Sequence, residues 1–359
     1  MAILAEPSPS LARAWRLGLA VAAFAIWAAF TWRHERVKPA DFYVFWEAAR
    51  HWRAPYDPAL IQALEARLHI TGAWPFVYPP TFLLLAWPFA QAPLALAYPL
   101  WAGLSAAVFI FAAAHLVRPP WLTLALFVAP PVVLAISPGQ TSLVVGAAMI
   151  GAFLAMERRP ALAGLLFAVA ACIKPQAMAL APIVLFGQWR ALAWAAAATA
   201  ALVLASLVFG PGLWLQWPHA LAAFARVAPA TDRVNPSALG GAPLAVALAA
   251  LGVFIAWRER TIVGLVTGGL CLTPYAHQYD LAPLAPVALG WIAGRREAGW
   301  LRAIAGAALL AGFVSAPLGG LGFVLAVGAS KVDWRAIRRT LGPGRALPPN
   351  GQAATTIGP

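Results

Sequence analysis

Long apolar runs, separated by short clusters of arginine, constrain this chain more than any other feature. Of its 359 residues 62% are hydrophobic and 10% are charged, where an ordinary soluble domain has about 25% charged residues. Those proportions fit a polytopic membrane protein and no soluble class. An all-α bundle is the expected fold class, because a hydrocarbon-embedded segment must bond its own backbone polar groups.

A spanning helix needs about 20 apolar residues, with roughly 17 to 25 tolerated. The first run is 15–33, with Arg13 before it and Arg16 at its start. No small-residue cleavage site follows it, so it reads as a retained first helix rather than a removed signal. A polar stretch, 34–80, comes next and holds Glu35, Asp41, Glu47, Asp57 and Glu65, five of the twelve carboxylates. Apolar runs resume at 81–90, 94–117, 120–136, 140–156, 160–173, 175–187, 190–210, 239–257, 261–274, 279–293, 299–316 and 318–330. A basic and then Pro/Gly-rich tail, 331–359, closes the chain. These limits predict a single membrane domain over 1–330.

The net charge of +13 comes from 25 basic and 12 acidic residues. The basic residues fall between apolar runs, the pattern of cytoplasmic loops facing anionic lipid and not of a nucleic-acid surface. With the N-terminus inside, Arg118, Arg158-Arg159, Arg190, Arg258–Arg260, Arg295-Arg296 and Arg335–Arg339 all fall inside too, provided that 81–90 does not cross. That gives about twelve crossings, with both termini cytoplasmic. The 34–80 loop, Ser137–Gln140, Lys174–Gln176, Tyr275–Asp280 and the connection 211–238 then share the outer side. Ionisable groups at membrane depth are expensive and tend to be functional.

Asp41 opens a stretch, Asp41-Phe42-Tyr43-Val44-Phe45-Trp46, whose apolar positions Phe42, Phe45, Trp46 and Ala49 have helical spacing. Glu47, Arg50 and His51 are left for a wet face, so an amphipathic interfacial helix is expected. Asp41 at its start is either a cap for free N–H groups or a general base. Val44 at N3 gives no capping box. Tyr78-Pro79-Pro80 fixes an extended entry to the bilayer, with Tyr78 either an interfacial anchor or part of a pocket. Lys174, one of three lysines, is a phosphate-binding point charge or a snorkelling side chain. His277 and Asp280 are three apart: Asp280 either orients the imidazole or caps the next helix. Gln140, after Pro138-Gly139, is a donor to a sugar hydroxyl or part of a helix-start turn.

The two cysteines, Cys172 and Cys271, lie in apolar runs and read as small buried hydrophobes. No His/Cys/Asp/Glu cluster has metal-ligand spacing. No GxGxxG, P-loop or GxSxG occurs, so nucleotide-fuelled and serine-hydrolase chemistry have no support.

Taken in order, Asp-Phe-x-x-Phe-Trp at Asp41, Tyr56-Asp57, Phe76-x-Tyr78-Pro79-Pro80, Pro138-Gly139-Gln140, Ala163-Gly164 with Lys174-Pro175, and His277-x-x-Asp280 resemble glycosyltransferase family 87. That family includes bacterial polyprenol-phosphate-mannose-dependent mannosyltransferases, and the resemblance runs from about residue 40 to about 295. It implies a GT-C-type bundle in a bacterial inner membrane, with an outward-facing site beneath the first outer loop. It implies a polyprenyl-phosphate hexose donor and inversion at the sugar; the expected acceptor is a glycolipid or glycan, and no cofactor is expected. It makes Asp41 the base and sets His277 and Lys174 near the donor phosphate; Asp280, Gln140, Tyr78 and Tyr43 are further expected substrate- or donor-binding positions. The competing class is a transporter or flippase of lipid-linked glycan intermediates. That class predicts charges at the bilayer midplane and paired broken helices, whereas the ionisable groups here sit at outer helix ends.

Overall fold

The computed structural model of the protein describes residues 9–33, 40–68, 75–117, 120–227, 234–273, 275–293 and 299–330. His34, Glu35, His69, Arg118, Asp232, Arg295, Arg296 and the tail 331–359 lie outside the described residues. Among the described residues all regular structure is helical.

Among the described residues four helices are long and apolar enough to cross a membrane. They lie in α1 (Pro9–Arg33), α5 (Leu94–Ala113), α10 (Trp189–Ser206, continued by a 3-10 turn to Phe209) and α12 (Ala242–Glu259). Between them come α2 (Ala40–Arg50), α3 (Pro58–Leu68), α4 (Phe82–Ala90), α6 (Pro130–Ile136), α7 (Ser142–Ala155), α8 (Pro160–Ile173), α9 (Ala181–Val184) and α11 (Leu213–Val227). After α12 follow α13 (Ile262–Leu272), α14 (Ala285–Ile292), α15 (Gly299–Leu310) and α16 (Pro317–Ala329).

Proline explains why several apolar runs do not form one long helix. A ring in a helix interior removes an N–H and collides with the preceding turn. Run 120–136 therefore becomes a 3-10 segment, Pro120–Phe127, followed by α6, whose first residues are Pro130 and Pro131. Run 175–187 becomes Pro175–Met178 and α9. Run 279–293 becomes a 3-10 segment, Gln278–Leu284, containing Pro283, and then α14, whose N-terminal turn contains Pro286. Run 81–90 is the nine-residue α4, too short to span.

Large apolar side chains on the long helices face outward. On α1 these include Trp15, Val21, Ile26 and Phe30, and on α10 Trp189, Trp194 and Leu204. An apolar exterior of this extent has its solvent in lipid tails, and the protein is membrane-embedded. Small residues bring the helices together: a Cβ on Gly164 of α8 would lie 2.4 Å from Trp194 Cβ on α10. The Ala163-Gly164 pair is thereby accounted for by packing.

Of the wet face expected for α2, Arg50 and His51 are exposed and Glu47 is not. Phe42, Val44, Phe45, Trp46, Glu47, Ala48 and Ala49 are all buried. Glu47, 4% exposed, pairs with Arg67 of α3 at 2.6 Å and faces His51 at 3.5 Å. The helix packs on α4 and α5 through an aromatic cluster in which Phe45 meets Tyr78, Phe82 and Trp101. Glu47 alone of the polar side is buried, because α3 brings a cation to it. The sequence expectation had no account of that helix.

Candidate active site

The site begins with a turn. Pro138-Gly139-Gln140 ends α6, and the Gly139 N–H and Gln140 N–H close back on Ile136 O and Ala135 O at 2.9 and 2.8 Å. Gly139 has φ +79°, and a Cβ there would lie 2.4 Å from Phe42 Cβ. Only glycine meets both demands. The close approach lets the Phe42 N–H donate to Pro138 O at 3.0 Å, while the Trp101 indole donates to Gly139 O at 2.8 Å. These bonds fix the first turn of α2 against the start of α7.

They also place Asp41 beside Gln140. The Gln140 amide Nε2 donates to Asp41 Oδ2 at 2.7 Å and lies 3.3 Å from the Tyr279 hydroxyl. The Tyr78 hydroxyl donates to Gln140 Oε1 at 3.1 Å. Tyr78 is held in turn by the Tyr56 hydroxyl, which donates to the Tyr78 carbonyl at 2.8 Å. Among the described residues, Asp41 takes its side-chain hydrogen bond from Gln140 and not from an amide of its own helix. Burial pushes its pKa from the ordinary 3.8 up to about 6, against the opposing pull of the Gln140 bond and the Lys174 charge.

A second cluster adjoins the first. Lys174, 7% exposed, ends α8 and donates to Asp280 Oδ1 at 2.5 Å and to Ser142 Oγ at 3.2 Å. Ser142 Oγ donates to the same Asp280 oxygen at 2.9 Å. The lysine does not snorkel to lipid: it is buried and paired, and its ammonium lies 5.1 Å from the centre of the Tyr279 ring. Tyr279 therefore bridges the two clusters, with its hydroxyl on Gln140 and its face toward Lys174. A cleft of about 50 Å³ opens here, lined by Ser142, Lys174, Gln176, Tyr275 and Asp280 and by apolar residues of α7 and α13 such as Met149 and Leu270.

Asp280 caps as well as pairs. Its Oδ2 accepts the His277 backbone N–H at 3.1 Å. The His277 side chain accepts the Asp280 backbone N–H in the same capping box, and its Nε2 bonds the Tyr275 hydroxyl at 2.5 Å. His277 also lies over Tyr279, with ring centroids 4.9 Å apart. Tyr43 stands apart from this network, partly buried against the core. Asp57 is exposed and caps α3, accepting the Ala59 N–H at 2.9 Å. Trp217 of α11 donates its indole N–H to Val77 O at 2.9 Å, next to Tyr78. Both cysteines are buried and free. Among the described residues no group of three or more His, Cys, Asp or Glu side chains is placed to hold a metal ion.

Ser142, Tyr275 and Tyr279 are site residues that sequence reasoning did not single out. The polar run Gln140-Thr141-Ser142 inside an otherwise apolar segment carried a signal for Ser142. The two tyrosines were hidden in a loop that was read for its histidine and aspartate.

A partly buried carboxylate beside a lysine-bearing cleft can take a proton from a hydroxyl and steady a departing anion. A family model described as Glycosyltransferase family 87 matches residues 76–290. The matched segment covers more than half of the chain and takes in Tyr78, Gln140, Lys174, His277 and Asp280, beginning after Asp41. Comparison with curated proteins and with solved structures gives no match. The ordered motifs, the helical membrane fold and the family match agree, and the chain belongs to glycosyltransferase family 87.

Proposed function

We propose that this glycosyltransferase moves a hexose, mannose in the first instance, from a polyprenyl-phosphate donor to an acceptor hydroxyl, and that Asp41 is the general base. The acceptor O–H proton passes to the Asp41 carboxylate as the oxygen forms a bond to the anomeric carbon. The bond from that carbon to the phosphate oxygen breaks, and polyprenyl phosphate leaves with the electron pair. Attack opposite the leaving group inverts the anomeric configuration. The site lies on the extracytoplasmic side of a bacterial inner membrane, and the bilayer delivers the donor.

The observation that carries the reading is the setting of Asp41: partly buried, bonded by a side-chain amide, and a short chain of contacts away from Lys174. A carboxylate with its pKa near 6 is a stronger base than an exposed one and is still ionised at neutral pH. Lys174 and His277 supply positive charge and hydrogen bonding for the leaving phosphate, with Asp280 and Ser142 holding the lysine in place. Gln140, Tyr78 and Tyr279 fix the direction of the base. The acceptor is a glycolipid or glycan presented from the outer side.

The test is a donor panel. Purified protein is incubated with polyprenyl-phosphate mannose, glucose, galactose and arabinose, with nucleotide-sugar controls and a membrane lipid extract as acceptor. A product mass increased by one sugar, formed from a lipid-phosphate donor and not from the nucleotide sugars, is expected. Transfer from nucleotide sugars alone would end the proposal.

A further inference from the structure

A second concavity is lined by none of the residues of the Asp41 and Lys174 clusters. α5 and α8 both pack on α7, and a furrow of about 700 Å³ runs along α7 between them. Its floor is Val144, Ala147, Ala148, Gly151 and Ala155, spaced three and four apart on one face of α7. Small side chains make that floor deep. Phe111 of α5 and Leu166 of α8 form the walls. At a rise of 1.5 Å per residue the furrow runs roughly 16 Å along α7 from Val144 to Ala155. That matches the roughly 15 Å of one leaflet of a bilayer whose hydrocarbon is about 30 Å thick.

The mouth has a different character. Arg158, Arg159 and His115 line it. Both arginines are exposed, and neither has an ion-pair partner among the described residues; Glu157 beside them is also exposed and unpaired. His115 Nδ1 bonds Phe111 O at 2.9 Å, which leaves Nε2 directed elsewhere. Arg16 of α1 is near enough for its charge to act on His115, and its Nε is buried without a hydrogen-bond partner. The first turn of α8, which starts at Pro160, adds backbone N–H groups at the same end.

We propose that this furrow is a binding site for an anionic phospholipid of the cytoplasmic leaflet, with one acyl chain along α7 and the phosphate on Arg158 and Arg159. The apolar length, the small-residue floor and the concentration of unpaired cations at one end together select an amphiphile with a negative head. Guanidinium groups fit phosphate oxygens in a bidentate manner. The arginine clusters orient this end toward the cytoplasm, where anionic lipid is enriched. The proposal is independent of the transfer chemistry, which it places at the other end of α7.

The test is native mass spectrometry of the purified full-length protein in detergent, titrated with phosphatidylglycerol or phosphatidylcholine. One tightly held phosphatidylglycerol is expected, with phosphatidylcholine binding more weakly. The double variant Arg158→Gln, Arg159→Gln should weaken phosphatidylglycerol binding about thirtyfold, at about 1 kcal/mol for each basic residue near a lipid surface. Ala147→Leu, which fills the floor and leaves the arginines intact, should weaken binding of both lipids. An unchanged unfolding temperature and unchanged glycosyl transfer in each variant establish that the fold is retained. Equal affinity for the two lipids, unaltered binding in the double variant, or displacement of the lipid by millimolar inorganic phosphate would each overturn the proposal.

Discussion

Gln140 donates its side-chain amide to the Asp41 carboxylate at 2.7 Å across 99 residues of sequence. The bond joins the first turn of α2 to the start of α7. It stabilises the ionised form of an acid that burial otherwise disfavours. Gln140 therefore sets both the aim of the carboxylate and the pH at which it can accept a proton.

The pH dependence follows directly. A base with its pKa at about 6 is protonated below that value, so the transfer rate should fall about tenfold per pH unit below roughly pH 6. Gln140→Leu removes a bond that favours the anion, and its acidic limb should move up by about one pH unit. Rate profiles of the two proteins between pH 5 and 8 (about the range in which a carboxylate of this kind titrates) check this. A limb unmoved by the substitution would detach Gln140 from the base.

Stability separates a buried base from a helix cap. The folded-state pKa of Asp41 lies above its ordinary 3.8, so the stability linked to its neutral form is full below about pH 4 and is lost as pH rises through about 6. At pH 7.5 (about the neutral working range) the ionised carboxylate is a burden on the fold. Asp41→Asn should then raise stability by on the order of 1 kcal/mol or more, and the gain should vanish on acidification. Loss of a capping aspartate would instead cost about 1 kcal/mol. Thermal unfolding in detergent at the two pH values distinguishes the signs.

The Lys174–Asp280 pair makes a different prediction. Lys174→Met leaves Asp280 buried without its counter-charge and should cost about 3 to 5 kcal/mol. Adding Asp280→Asn removes the orphaned charge while keeping an oxygen for the His277 N–H. The double variant should recover most of the stability and none of the activity. Unfolding temperatures and transfer assays on the single and double variants test this together. Recovery of activity with stability would make the pair purely structural.

Gly139 is the hinge of the geometry. Gly139→Ala meets a left-handed backbone and a Cβ placed 2.4 Å from Phe42 Cβ. About 1 kcal/mol from the backbone conformation, with the collision added, should lower the unfolding temperature. Displacing the first turn of α2 moves Asp41, so the turnover number should fall more than donor affinity does. Measuring kcat and KM separately shows the split.

Much of this was legible in the residues. The apolar runs give the helical membrane fold, because hydrocarbon leaves the backbone few alternatives. Asp41, Tyr78, Gln140, Lys174, His277 and Asp280 stand out as polar groups in apolar surroundings, and the structure brings five of them into two adjoining hydrogen-bonded clusters, with His277 joined to Asp280 by a capping box and in contact with Tyr275 and Tyr279. Partners were harder to read. Asp280 goes to Lys174, which lies 106 residues away, in preference to the neighbouring imidazole. Glu47 is buried because Arg67 of α3 meets it, and periodicity within α2 alone cannot report a cation on another helix. Helix continuity also escaped the hydropathy pattern: Pro131, Pro182 and Pro283 break runs that are apolar from end to end.

The central claim is that Asp41 accepts the acceptor proton, and single-turnover transfer by Asp41→Asn tests it most directly. With lipid-phosphate donor bound at the wild-type affinity, the account predicts a rate lower by about a hundredfold or more. A folded Asp41→Asn protein that transfers sugar at the wild-type rate would contradict it.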